Sequence, residues 1–132
     1  MKKYLILLLV ITNLGLGVQS FSAMTKEEKT KLEKQIDDAY GKNDKKKLET
    51  LITKYVNEFP NNADYLNRLA VLYTNQKNYS EAEKWYLKAI EKGNFTAISN
   101  IAYLYFEKKD YEKSIKYYKE YQKIADNTDN YY

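Results

Sequence analysis

The side chains that most often do chemistry are missing from this sequence. It has no histidine, which removes the commonest general base and the commonest zinc ligand. It has no cysteine, which removes disulfides, thiolate nucleophiles and thiolate metal sites. For acid–base work there remain 18 Asp and Glu, but such work needs two carboxylates held in unlike, partly apolar surroundings. Here they alternate with lysines, as on solvated helical faces. Asn78-Tyr79-Ser80 and Asn94-Phe95-Thr96 fit the N-glycosylation acceptor, yet the Lys-Lys start and the cysteine-free chain read as bacterial. The types left over suit recognition: 15 tyrosines, with Tyr103, Tyr105 and Phe106 crowding one helical turn. The expectation is a binding protein, not an enzyme, with no cofactor and no metal.

The elements that must position those residues begin after a leader. Lys2 and Lys3 precede an apolar stretch from Tyr4 to Val18, and Ser20 and Ser22 then form a small-x-small cleavage pattern. Residues 1–22 therefore read as a signal peptide, with export to the bacterial envelope, periplasmic or secreted. A spanning helix needs about 20 apolar residues, so the alternative, an uncleaved anchor, would place the chain at a membrane only through this segment. Without residues 1–22, twenty basic groups face eighteen acidic ones, and the only close basic run is Lys45, Lys46 and Lys47. Nucleic acid is not an expected partner, because backbone binding needs clustered cations.

Six helices in three pairs follow from hydrophobic spacing and caps, and nothing alternates with period two, so no sheet is expected. Thr25 and Glu28 form a capping box, and Gly41 offers a left-handed stop. Asp44 caps the second helix, whose Leu48, Leu51, Ile52, Tyr55, Val56 and Phe59 make one apolar stripe ended by Pro60. Asn62 caps the third helix, and Ser80 with Glu83 makes a second capping box for the fourth, which stops at Gly93. The fifth carries Ile98, Ile101, Ala102, Leu104 and Tyr105, and Asp110 caps the sixth. A shift of 32 residues carries Leu66, Leu69, Ala70, Leu72, Tyr73, Tyr79 and Tyr86 onto Ile98, Ile101, Ala102, Leu104, Tyr105, Tyr111 and Tyr118. A fixed period of this size marks a solenoid of units that cannot bury their apolar faces alone.

The spacing of Leu69-Ala70, Tyr73, Ala82 and Tyr86, repeated as Ile101-Ala102, Tyr105, Ser114 and Tyr118, resembles the tetratricopeptide repeat. Ala82-Glu83-Lys84-Trp85-Tyr86-Leu87-Lys88-Ala89 with Gly93, Ala97 and Asn100 is also similar to Sel-like repeats. The resemblance implies an all-α, right-handed solenoid of three helix-turn-helix repeats over 23–126, with units at about 29–62, 63–94 and 95–126 and a flexible tail at 127–132. In the first unit Ile36 and Leu48 replace the small residues and Ala39 the tyrosine, so its helices must sit further apart, as in a capping pair. No separate polar helix follows the third unit, which leaves Tyr117, Tyr121 and Ile124 as candidates for an uncovered face.

The resemblance further implies that the first helix of each pair lines a concave groove. Glu33, Asp37 and Tyr40 would lie at its N-terminal end. The partner-binding candidates are Asp64, Asn67, Val71 and Thr74, then Ser99, Tyr103 and Phe106, with Thr96 beside them. Tyr103 and Phe106 lie off a stripe already filled by Ile98, Ile101, Ala102 and Tyr105, so they either pack elsewhere or face the groove. Such a groove, acidic at one end and aromatic at the other, suits a protein or peptide segment with basic residues and an apolar anchor. The lone arginine, Arg68, is placed for an ion pair with Asp64 at i−4. The alternative function is a structural envelope protein that self-associates through its uncapped C-terminal repeat. The leader makes one direct prediction: the exported product begins near Ala23, read from its intact mass, and recovery of a membrane-bound chain retaining Met1 to Val18 would show an anchor instead.

Overall fold

The structure, a computed structural model, describes residues 23–129, so the leader at 1–22 and the last three residues of the tail lie outside the described residues. Six helices fill it: α1 (Lys26–Gly41), α2 (Lys45–Glu58), α3 (Ala63–Asn75), α4 (Tyr79–Glu91), α5 (Thr96–Glu107) and α6 (Tyr111–Asp129). No strand occurs among the described residues.

Most starts are the expected caps. The Thr25 hydroxyl accepts from the Glu28 N–H at 3.2 Å while the Glu28 carboxylate accepts from the Thr25 N–H at 2.8 Å. Asp44, Asn62 and Asp110 accept from the N–H three residues on, at 3.0, 3.2 and 3.2 Å. The box expected at Ser80 and Glu83 does not form. Helix α4 opens earlier, at Tyr79, with Asn78 as its cap at 3.5 Å, and Glu83 is engaged elsewhere.

The stops differ from the expectation in one respect. Gly41 lies inside the last turn of α1, and the left-handed residue is Asn43, φ 51°. Lys77 and Lys109 hold the same place in the next two pairs, with φ 59° and 62°. In each case the following N–H donates five residues back, from Asp44 to Ala39, Asn78 to Tyr73 and Asp110 to Tyr105. That is a Schellman closure, and it delivers the next cap residue into place. Gly93, φ 92°, ends α4 in the same manner. At Pro60 the chain leaves the helix as expected, with Phe59 at φ −126°.

Consecutive helices pack against one another, and α3 also packs directly on α5, whereas α2 on α4 and α4 on α6 do not meet in this way. Among non-consecutive helices only α3 and α5 meet, which puts the odd-numbered helices of the second and third repeats on the inner curve of the solenoid. Ala70 and Ala82 are wholly buried where α3 meets α4, and Ala102 and Ser114 are buried where α5 meets α6. The first pair, with Ile36 and Leu48 at its crossing, packs along far less of its length.

The last repeat departs from the expectation in its tail and in which residues it leaves uncovered. Helix α6 continues to Asp129, so residues 127–129 of the supposed tail are helical. Tyr86 is buried at 2% exposure, but Tyr118, one period later, is 47% exposed, because α5 follows the second repeat and no described element follows the third. Tyr117 is half-buried, its ring parallel to that of Tyr105 at 5.6 Å, and Ile124 is half-buried too. The uncovered residues are Tyr111, Ile115, Tyr118 and Tyr121. The packing of the second pair predicts that Ala70→Leu forces its helices apart and costs on the order of 1–3 kcal/mol. The same change at exposed Lys77, where both residues carry the same left-handed backbone cost, is silent. Thermal and denaturant melts of the two variants make the comparison.

Candidate functional site

The inner face is built by α1, α3 and α5, and its polar groups bond both within and between repeats. The Asn94 amide donates to Asp64 at 2.8 Å. The Asn100 amide donates to Asn67 at 3.0 Å, joining α3 to α5. Asn94 also accepts from the Ala97 N–H at 2.9 Å and so starts α5. Neither Asn94 nor Asn100 was among the partner-binding candidates, although Asn100 lies 33 residues after Asn67, close to the period, and that spacing was the available signal.

Of the seven candidates, Asp64, Tyr103 and Phe106 are exposed, while Asn67, Val71 and Ser99 are half-buried. Thr74 is not a surface residue. It is 8% exposed, its hydroxyl donates to the Ala70 carbonyl at 3.0 Å, and it lies 3.2 Å from the Tyr86 hydroxyl. A small hydroxyl at that place serves the buried phenol beneath it, so Thr74 leaves the candidate set. Tyr103 and Phe106 do not pack into the core, with 49% and 52% exposure. Phe106 meets the Tyr111 ring edge-on at 5.8 Å. The charge of Glu107 and a hydrogen bond to it raise the Tyr103 phenol above its ordinary range.

The N-terminal end is less acidic than the sequence suggests. Glu33 accepts from the Tyr55 hydroxyl at 2.9 Å and lies 3.7 Å from Lys29. Arg68 is not paired with Asp64. Its guanidinium lies 4.9 Å from the Tyr65 ring and 5.8 Å from the Tyr40 ring, which brings a cation to the middle of the face and ties α3 to α1. Arg68 thus makes cation–π contacts in place of the ion pair, while Asp64 accepts from Asn94.

Beneath this face lie phenols with fixed partners. Tyr105 donates to Glu83 at 2.6 Å, and Lys108 donates to the same carboxylate at 3.3 Å. Burial works against the Glu83 charge, but those two hydrogen bonds prevail and hold the carboxyl below its usual range. Tyr55 and Tyr105 are pushed far above the ordinary phenol range, first by burial and then by hydrogen bonds to carboxylates that only a protonated phenol can make.

Residues 62–93 and 95–128 each match a tetratricopeptide repeat model, and the two stretches together span half of the chain. The chain belongs to the tetratricopeptide repeat proteins, whose repeats are protein-interaction modules. Its structure is similar to two crystal structures of MamA. One has TM-score 0.71 and 16% identity over 84% of this chain and 64% of that one. The other has TM-score 0.69 and 18% identity over 85% and 61%. The chain thus spans under two thirds of those proteins. It is also similar to the N-terminal domain of stress-induced protein-1 (STI-1) from C. elegans, with TM-score 0.65 and 20% identity over 76% and 85%. At these identities the likeness is one of fold. No curated protein is matched by the sequence.

The buried phenols predict a loss of stability in alkali. Their folded-state pKa values are raised, so their contribution is complete below the unfolded value of about 10. It is lost as the pH climbs above that and the unfolded chain alone gives up its protons. Melts across alkaline pH with phenolate absorbance measure this. Tyr105→Phe lowers stability at neutral pH by about 1 kcal/mol yet reduces the alkaline loss.

Proposed function

We propose that the protein is an exported interaction module, periplasmic or secreted, that binds a peptide segment of a partner along the inner face of α1, α3 and α5, without chemistry. The observation that carries this reading is the exposure of Tyr103 and Phe106, 49% and 52%, beside a row of short polar side chains. Large aromatic groups left open next to hydrogen-bonding side chains are the composition of a recognition surface, in which a few anchors carry most of the energy.

The polar row supports an extended ligand. Asp64, Asn67 and Ser99 lie on α3 and α5, which are in direct contact, so a chain laid across both helices meets side chains from two repeats. Asn67 already receives the Asn100 amide through its carbonyl oxygen; its own amide group is the donor it can offer to a ligand carbonyl. Asp64 and Asp37 suit basic ligand residues toward the N-terminal end, and Arg68 beside them favours a ligand carboxylate or aromatic ring between the two. Export rests on the Lys-Lys start, the apolar stretch and the small-x-small pattern of residues 1–22.

The test is the double change of Tyr103 and Phe106 to Ser. Helicity and melting temperature stay close to the parent because neither side chain is core, while capture of the native partner weakens by about 1–3 kcal/mol. Tyr105→Ser is the contrast, since it removes buried volume and destabilises the domain by about 3–5 kcal/mol. A double variant that folds and binds as before would move the site off this face.

A further inference from the structure

Aromatic side chains that donate to a carboxylate follow one pattern in this fold. Tyr55 donates to Glu33 at 2.9 Å, and Lys29 joins the same carboxylate at 3.7 Å with its ammonium 5.2 Å from the Phe59 ring. The Trp85 N–H donates to Glu81 at 3.1 Å, and Lys84 lies 3.2 Å from that carboxylate and 5.1 Å from the Trp85 ring. Tyr105 donates to Glu83 at 2.6 Å, and Lys108 lies 3.3 Å from the carboxylate and 5.1 Å from the Tyr105 ring. In each case one carboxylate serves both an aromatic donor and a lysine, and the ammonium also lies over a ring. A carboxylate has lone pairs for both donors, and the ring quadrupole attracts the same cation as the carboxylate does.

The fourth such carboxylate is Glu107. It receives the Tyr103 hydroxyl, and Tyr103, Phe106 and Glu107 share one side of α5 by their spacing of three and four residues. All three are exposed. Tyr111 stands edge-on to Phe106 at 5.8 Å with 61° between the ring planes, so these rings form a corner and not a flat stack. The cation is what differs. Among the described residues no lysine or arginine pairs with Glu107 or lies over Tyr103, Phe106 or Tyr111. Lys108, the next residue, is drawn across the repeat junction to Glu83.

We propose that Glu107, with Tyr103 and Phe106, seats a lysine side chain of the partner segment bound along the inner face. This rests on the reading of that face as the binding surface and fixes one residue of the ligand. The four-carbon stem of the lysine lies along the Phe106 ring, as such stems do on apolar surface, and its ammonium reaches the carboxylate that Tyr103 holds. One occupant then satisfies the open rings and the open charge together. A purely apolar anchor would instead cover Glu107 and leave its charge unpaired, which is costly. An ammonium fits better than a guanidinium. Lysine supplies the cation in the three other cases, whereas Arg68 lies over two rings and takes part in no ion pair among the described residues.

Titration of the protein as isolated from cells with n-butylammonium chloride, followed by backbone amide NMR, tests the seat directly. Pentan-1-ol is the neutral counterpart, and sodium chloride is the salt control. The ammonium shifts the amides around Tyr103 to Glu107 in a saturable manner, and the alcohol and the salt do not. Glu107→Gln, which keeps the rings and the side-chain size, raises the apparent dissociation constant about fivefold. Glu27→Gln, at an exposed carboxylate in the first turn of α1, leaves it unchanged. An equal response to ammonium and alcohol, or a Glu107→Gln protein that binds the ammonium as the parent does, would overturn the proposal. Capture of the native partner separates it from the reading on which it rests. A partner lost with the Tyr103 and Phe106 double change but fully held by Glu107→Gln sinks the lysine seat alone, and a partner held by both variants sinks the inner face as the site.

Discussion

Everything in this molecule depends on how closely the paired helices can approach. Ala70 and Ala82 are wholly buried where α3 crosses α4, and with no side chain beyond Cβ at either place the two backbones come together. The neighbouring large residues then fill the flanks, Leu66, Leu69 and Tyr86 around the second pair and Ile98, Ile101 and Tyr105 around the third. Where bulk replaces the alanines, at Ile36 and Leu48, the first pair is looser. A chain without disulfides has no other means of holding such short helices, which are marginal in isolation.

That close packing forces a second constraint, because the fillers are tyrosines. A phenol taken out of water costs stability unless its hydroxyl is bonded. The three most deeply placed ones each find a partner: Glu33 for Tyr55, Thr74 for Tyr86, Glu83 for Tyr105. Among the described residues no buried side-chain nitrogen or oxygen is left without a bond. The Tyr105 bond runs between repeats, so the same interaction that satisfies a buried group also sets how the third repeat sits on the second. Asn67 with Asn100 does this on the inner face, so the proposed recognition surface shares residues with the repeat junction.

Burial elsewhere leaves three kinds of surface. The inner face is polar and ends in open aromatics, the N-terminal end is charged, and the far side of α6 is apolar. The proposed peptide groove on α1, α3 and α5 is therefore a different surface from the exposed apolar side of α6. The two surfaces meet near Phe106, whose ring touches Tyr111.

How much was legible in the sequence follows from the range of the forces involved. Helix spans, most caps and nearly all of the core could be read locally, because a 3.6-residue period and a cap three residues away are properties of one segment. The period of 32 carried the solenoid as well, since repeated side chains must meet repeated neighbours. Tertiary structure decided what local pattern could not. Thr74 reads as a surface residue by helical position and is buried by a phenol from the next helix. Tyr118 matches buried Tyr86 by period and is open, because burial at that place belongs to the repeat that follows and not to the residue itself. The left-handed residues fell on Asn43, Lys77 and Lys109, where the demands of cap and closure outweigh the preference for glycine. The Arg68–Tyr40 contact and the Asn67–Asn100 bond join residues 28 and 33 apart in sequence, and only the stacking of the repeats brings them within reach.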